Sequence, residues 1–470
     1  MADSISVKKA TMINASGRYL KVILTVLVNA ILARILTPFD FGVVAVITVF
    51  TTFFATLSDM GFGPAIVQKK ELTSKDIDSL FTYSTYAASG LSLIFFLCAF
   101  PIAAFYKDSI YLKPTCLLTI ALFFNALNMV PGGILNRDKK FITIALRTVI
   151  TYVVSALVAI YLALHGWRFY ALVVQAILVS VLQFLWNWFS TRPRLLLHPD
   201  KNAIGIVKSY SFYQFAFNVV NYFARNLDNL LVGKFMGENN LGNYNKAYNL
   251  MLFPVNNLSG VVSPVLHPIL SDYQNQPGEI YRRYMRLVRF LFCLGIFCST
   301  FAWLAADEII SILYGPQWAP CAACFRILTI AIIPQMINSS AGAIFQALGN
   351  TKLMFISSCI NTAVTCIAII LGIFAGGSIE SLAYCVALSY VFHFVCAFWI
   401  LIRKGFGTSL GAFVRELLPE WIMSALMIAA VCLWNLRFDN ILLSLGAKTL
   451  YLSLVFCAMM LISKEYKLFK

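Results

Sequence analysis

Apolar runs of roughly 20 residues or more follow one another along almost the whole chain, separated by short loops that carry lysine and arginine. A helix needs about 20 apolar residues to cross a bilayer core, and its backbone groups must be satisfied inside the segment. A chain made of such runs is restricted to a bundle of membrane-spanning helices. Only 12% of the 470 residues are charged and 60% are hydrophobic, whereas soluble domains carry about a quarter charged. The runs place helices near 10–35, 41–66, 79–105, 112–136, 141–164, 168–190, 204–236, 241–270, 284–313, 318–347, 353–375, 380–402, 411–435 and 441–462. The expected fold class is an all-α integral membrane bundle of about fourteen transmembrane helices. The longest polar stretches, 191–208 and 271–289, are loop-sized and leave no room for a separate catalytic domain.

The basic residues set the orientation. With the N-terminus in the cytoplasm, Lys8, Lys9, Lys69, Lys70, Arg137, Lys139, Lys140, Arg192, Arg194, Arg282, Arg283, Arg286, Arg403, Lys404 and Lys464 all fall inside. An odd number of helices would scramble that alternation, so an even count with both termini cytoplasmic is expected. The first helix has no cleavage site after a short apolar core and is expected to be retained. The net charge of +16 therefore reflects topology, and no nucleic-acid partner is expected. Most of the twelve cysteines lie inside apolar runs, where the thiol acts as a small hydrophobe. Cys321 and Cys324 form a C-x-x-C without a second pair, which fits helix packing better than redox chemistry.

A shift of 200 residues lays one half of the chain on the other. Gly42 falls on Gly242, Pro64 on Pro264, Arg34 on Lys234 and Asn29 on Asn229; at a shift of 210, Leu118-Thr119-Ile120 falls on Leu328-Thr329-Ile330 and Gly132 on Gly342. The expected organisation is an N-terminal six-helix lobe over 1–200, a second over 201–405, and an extra helix pair over 406–470. Six is even, so the repeats are expected to be related by an axis along the membrane normal, with a substrate site near their interface.

Two polar stripes carry the functional signal. The first helix has Thr11, Asn14, Arg18, Lys21, Thr25 and Asn29 at steps of three and four; the seventh has Ser211, Gln214, Asn218, Asn221, Arg225 and Asn229, with Asp228 beside them. Each set lies along one helix face. Polar side chains at membrane depth point into the bundle or a watery cavity, although interhelical hydrogen bonding explains them too. Arg18, Lys21, Asn29, Gln214, Asn218, Asn221, Arg225 and Asp228 are the expected cavity residues. An arginine fork suits a phosphate, with lysine as a point charge, and Asp228 is placed to pair with Arg225. Asp59 is a candidate for ion coupling, though such a residue more often caps or pairs near the surface. Arg147, Lys246 and Arg326 are further candidates that read better as interfacial anchors reaching for headgroups.

There is no GxxxxGK[ST] loop, no H-E-x-x-H and no G-x-S-x-G elbow, and His165, His198, His267 and His393 are scattered. Neither enzymatic activity, a metal site nor a cofactor is expected.

Residues 31–50, ILARILTPFDFGVVAVITVF, resemble the LARLLTPEDFG signature of the bacterial polysaccharide flippase family, and 58–68, SDMGFGPAIVQ, resembles its DLGLSAALIQ segment. Residues 326–334, RILTIAIIP, and 342–352, GAIFQALGNTK, are similar to the matching signature in the tenth helix. Phe39 departs from the acidic residue usual there. The resemblance spreads over about residues 10–400 and implies membership of the multidrug/oligosaccharidyl-lipid/polysaccharide exporter superfamily. It implies two six-helix lobes around a central cavity, and transport of an undecaprenyl-diphosphate-linked oligosaccharide to the outer leaflet of the bacterial inner membrane. Arg18, Lys21 and Arg225 match that family's cationic cavity; membrane lipids and glycan-assembly enzymes are the implied partners. A multidrug or organic-cation antiporter of the same superfamily is the nearest alternative, but its cavity should be acidic and aromatic. A membrane-embedded glycan polymerase would need a large outer loop or soluble domain, and an assembly protein would not need the stripes.

Overall fold

The computed structural model describes residues 7–58, 66–67, 72–200, 222, 226–259, 270, 273, 276–436, 438–463 and 465–466, which are helical apart from turns and short connections. They divide into two compact units, Met1–Gly242 and Asn243–Lys470. Ten stretches among the described residues are helical, long and apolar enough to cross a membrane, and Leu418–Cys432 is a shorter apolar helix. This is an all-helical multi-pass membrane protein.

The first unit holds α1 (Val7–Ile35), α2 (Pro38–Ser58), α3 (Ser74–Tyr106), α4 (Leu112–Leu127), α5 (Met129–Arg137), α6 (Phe141–Leu164) and α7 (Tyr170–Thr191). The helical run 226–235 and the first turn of α8 (Glu238–Leu258) complete it. Helix α1 packs on α6, α6 on α7, α3 on α4 and α4 on α7. One core joins Val28 and Leu32 of α1, with Leu36 just past its end, to Ala156, Ala159 and Ala163 of α6 and Leu172 of α7. The small residues come from α6, which lets the two backbones approach closely where hydrocarbon supplies no hydrophobic drive. At Gly17 a Cβ would lie 2.8 Å from the Cβ of Ala145.

The second unit contains α9 (Pro277–Leu304), α10 (Ala306–Leu313), α11 (Ala319–Leu328), α12 (Ile332–Asn338), α13 (Ala341–Ala347), α14 (Thr351–Phe374), α15 (Ile379–Ile400), α16 (Leu410–Glu416), α17 (Leu418–Cys432) and α18 (Ile441–Ile462). Four apolar runs expected as single helices are interrupted, that at 411–435 at Leu417. The run at 112–136 breaks at Asn128, the run at 284–313 at Ala305, and the run at 318–347 falls into three pieces. Periodicity detects an apolar run but not a local change of axis. Helix α9 also begins seven residues before the expected position 284. Its first turns are polar, with Glu279 paired to Arg282 and, at 2.8 Å, to Arg283, so an apolar count starts late. Cys321 and Cys324 are both buried in α11 with free thiols, in keeping with a packing role.

Within the second unit α17 and α18 are fastened to α9 and α10 by buried charge. Near the start of α18, Lys448 donates to Oε1 of Glu308 at 2.5 Å and to the Leu304 carbonyl at 2.9 Å, and Ser444 donates to the same Glu308 oxygen at 2.7 Å. Past its other end, Glu465 meets Arg289 of α9, which also holds Glu420 of α17.

Candidate substrate cavity

Helix α1 brings the expected stripe onto one side. Its bulky exposed residues Tyr19, Ile23, Leu27 and Ile31 lie, at 100° per residue, on the side away from Lys21, Thr25 and Asn29. The stripe therefore does not share the outward apolar face. Lys21 is exposed, while Thr25 and Asn29 are half-buried. Thr25 Oγ1 donates to the Lys21 carbonyl at 2.7 Å and Asn29 Nδ2 to the Thr25 carbonyl at 2.9 Å. The Thr25 and Asn29 side chains thus each have a partner one turn back, which lowers the cost of placing them at membrane depth.

In the second stripe Asp228 is buried, and its Oδ1 accepts the Asn229 backbone N–H at 2.8 Å. Asp59, Pro64, Gln214, Asn218, Asn221, Arg225, Pro264 and His267 lie outside the described residues, as does the side chain of Arg18. Within the first unit Tyr222 donates to the Val49 carbonyl, and the run 226–235 is held to α3, where Tyr106 donates to the Leu230 carbonyl at 3.2 Å and Lys234 sits 4.6 Å above the Phe105 ring.

The three expected interfacial anchors behave differently from one another. Lys246 is not an anchor at a headgroup: it is buried, 5.1 Å from the Tyr314 ring centroid and 5.9 Å from that of Trp318. Two aromatic faces can shelter an ammonium that water cannot reach. Arg147 is turned into its unit, where it donates to Asn187 Oδ1 at 2.8 Å; Asn187 in turn donates to Asn128 Oδ1 at 2.6 Å. Only Arg326 keeps a half-exposed head, paired with Asp307 beside the Trp303 ring. An asparagine inside an apolar helix, as at Asn187, was the available sign of the Arg147 network.

The signature around residue 40 also has a physical explanation. Thr37 Oγ1 and N–H both donate to Asp40 Oδ2, at 2.7 and 3.0 Å, and the Asp40 N–H donates back to Thr37 Oγ1 at 3.4 Å. This reciprocal cap opens α2, with Pro38 preset at its first position. Asp40 is buried and paired with Arg168 at 3.2 Å, whose guanidinium lies 5.4 Å from the Phe39 ring. Phe39, the departure from the family pattern, thus receives the same arginine.

Gly42 comes next. A Cβ there would collide with the Glu238 carbonyl, 2.6 Å from its carbon, and one at Gly242 with the Pro38 carbonyl, 2.8 Å from its carbon. Residues 38 and 238, like 42 and 242, are partners under the 200-residue shift. The start of α2 and the start of α8 therefore press on each other reciprocally. Tyr111 seals the same place by donating to Glu238 at 2.6 Å.

Comparison with known proteins places this architecture. Among solved structures, lipid II flippase MurJ in an inward closed conformation superposes with a TM-score of 0.73 at 15% identity, covering 97% of this chain and 99% of that one. An inward-facing multidrug resistance MATE transporter of the MOP superfamily gives 0.64 at 13% identity, over 83% and 96%. The fold is that of these transporters. Among curated proteins, the teichuronic acid biosynthesis protein TuaB of Bacillus subtilis (strain 168) is 23% identical, over 80% of this chain and 78% of its own. The lipopolysaccharide biosynthesis protein WzxC of Escherichia coli (strain K12) is 20% identical, over 86% and 82%. The succinoglycan biosynthesis transport protein ExoT of Rhizobium meliloti (strain 1021) is 21% identical, over 93% and 88%. The family model described as polysaccharide biosynthesis protein matches residues 31–323, well over half of the sequence. The chain belongs to the polysaccharide biosynthesis protein family.

Proposed function

We propose that this protein is a flippase that carries an undecaprenyl-diphosphate-linked oligosaccharide across the bacterial inner membrane, and is not an enzyme. The observation that carries this is the polar stripe of Lys21, Thr25 and Asn29 on the side of α1 away from its exposed apolar face, in a chain of this family. Arg18, Lys21 and Arg225 hold the diphosphate, because guanidinium and ammonium groups donate to its oxygens. Asn29, Gln214, Asn218 and Asn221 meet sugar hydroxyls, Asp228 steadies Arg225, and the polyprenyl tail stays in lipid. Residues 1–200 and 201–405 act as two lobes that expose the cavity to one leaflet and then the other, with 406–470 as an added pair. Both termini face the cytoplasm, where glycan-assembly enzymes supply the substrate. Asp59 is the coupling carboxylate of this scheme.

A strain lacking the protein should strand lipid-linked repeat units on the cytoplasmic face, and the wild-type chain should clear them. Arg225→Ala, expressed at wild-type level, should fail to do so. A normal surface polymer in the deletion strain would sink the proposal, and normal clearance by Arg225→Ala would remove that residue from the site.

A further inference from the structure

Three charged side chains meet where α9, α17 and the turn after α18 pack together. Arg289 donates from Nε to Oε1 of Glu420 at 2.7 Å and from Nη2 to Oε1 of Glu465. Glu420 is 0% exposed and Glu465 5%. With both glutamates ionised, the cluster carries one negative charge more than its single arginine cancels. Buried like charges sharing a site do not both ionise readily, and the proton that remains belongs to the pair rather than to either member.

A second observation bears on the same cluster. Oε2 of Glu420 is buried and has no hydrogen-bond partner among the described residues. A stranded carboxylate oxygen is costly and a shared proton removes that cost. One oxygen from each glutamate and Sγ of Cys293 lie within 4.8 Å of one another, so the two carboxyls are close neighbours beside the one guanidinium. The other groups facing the pair are few. Arg289 is the one cation acting on Glu465 among the described residues, α9 adds the Cys293 thiol, and Ser463 spends its hydroxyl on the Met459 carbonyl. Burial, then the neighbouring Glu420, push the Glu465 carboxyl above the usual range against the pull of Arg289. A metal cation fits less well. Hard cations take about six oxygen ligands, and here both Oε1 atoms already serve a fixed guanidinium while the third donor is a thiol.

We propose that Glu420 and Glu465 hold one exchangeable proton between them beside Arg289, forming a proton-binding site apart from the polar stripes. The site needs no assumption about what the protein carries.

The test is an infrared difference titration of the full-length protein in lipid nanodiscs, following the carboxylic C=O stretch. One carboxyl should stay protonated above ~4.3, the ordinary glutamate value. Glu420→Gln and Glu465→Gln should each abolish that signal, and Glu279→Gln at the start of α9 should leave it. If Glu420→Gln does not fold, Glu465→Gln, beyond the last helix, decides alone. Absence of a high-titrating carboxyl in the wild-type protein would overturn the proposal, as would its survival in the Glu465 variant. Displacement of the signal by Na+ at constant pH would do the same, assigning the cluster to a metal cation.

Discussion

The two ends of α18 are tied down by different arithmetic. At one end Lys448 and Glu308 cancel: Lys448 and Ser444 share the Glu308 Oε1, Lys448 also reaches the Leu304 carbonyl, and Oε2 has no hydrogen-bond partner among the described residues. At the other, Arg289 faces two glutamates. Both are buried ionic contacts against the same unit, yet they should answer pH in opposite senses. A balanced pair is weakened when its acid is neutralised, whereas an over-acidic cluster is relieved by the same event. Counting ion pairs would call the two ends alike; summing their charges separates them.

The largest effect should come from breaking the balanced end. Glu308→Ala leaves the Lys448 ammonium enclosed without its carboxylate and should cost about 3 kcal/mol, the range for a buried pair that loses one member. Adding Lys448→Met should restore most of that loss in unfolding of the purified protein in detergent. Equal losses in the single and double variants would show that the end is held by packing alone.

A yardstick free of either cluster is the cap of α2. Thr37→Val removes the hydroxyl from the Thr37–Asp40 exchange and should cost about 1 kcal/mol. If it costs as much as Glu308→Ala, the ionic ends of α18 hold no special place in the stability of the molecule.

The dependence on pH is smaller and tests the comparison most directly. Burial acts to raise the Glu308 carboxyl, but hydrogen bonds from Lys448 and Ser444 outweigh it and hold the group below its ordinary value. Its contribution is full above the unfolded pKa of ~4.3 and is lost as pH falls through the lowered value. Glu465 is raised, so its contribution is full below the unfolded pKa and is lost as pH rises through the raised value. Thermal midpoints scanned between roughly pH 3 and 8 should lose their acid arm in Glu308→Gln and part of their upper arm in Glu465→Gln. Matching changes in the two variants would erase the distinction between the ends.

Much of the fold was legible because hydrocarbon leaves the backbone few options. The limits of α6 and α18 fall at the expected residues 141–164 and 441–462. Interruptions such as Asn128 and Ala305 were not legible, since they depend on how neighbours reclaim backbone groups and not on apolar count. For the site, the position of the stripe on α1 follows from 3.6-residue geometry. The fate of Arg147 and Lys246 does not, because a cation in an apolar run satisfies the same pattern whether it reaches a headgroup, an asparagine or a pair of aromatic rings. The clusters at Arg289 and Glu308 join residues more than a hundred positions apart, at 289 and 420 and at 308 and 448, a distance that no local spacing rule spans.

The close approach at Gly42 and Gly242 is made with backbone on the far side, Glu238 against one and Pro38 against the other. A backbone carbonyl cannot trim itself as a flexible side chain can, so a methyl group at either place would have to push the starts of α2 and α8 apart. Hydrogen is the largest substituent either position tolerates while the two helix starts stay together.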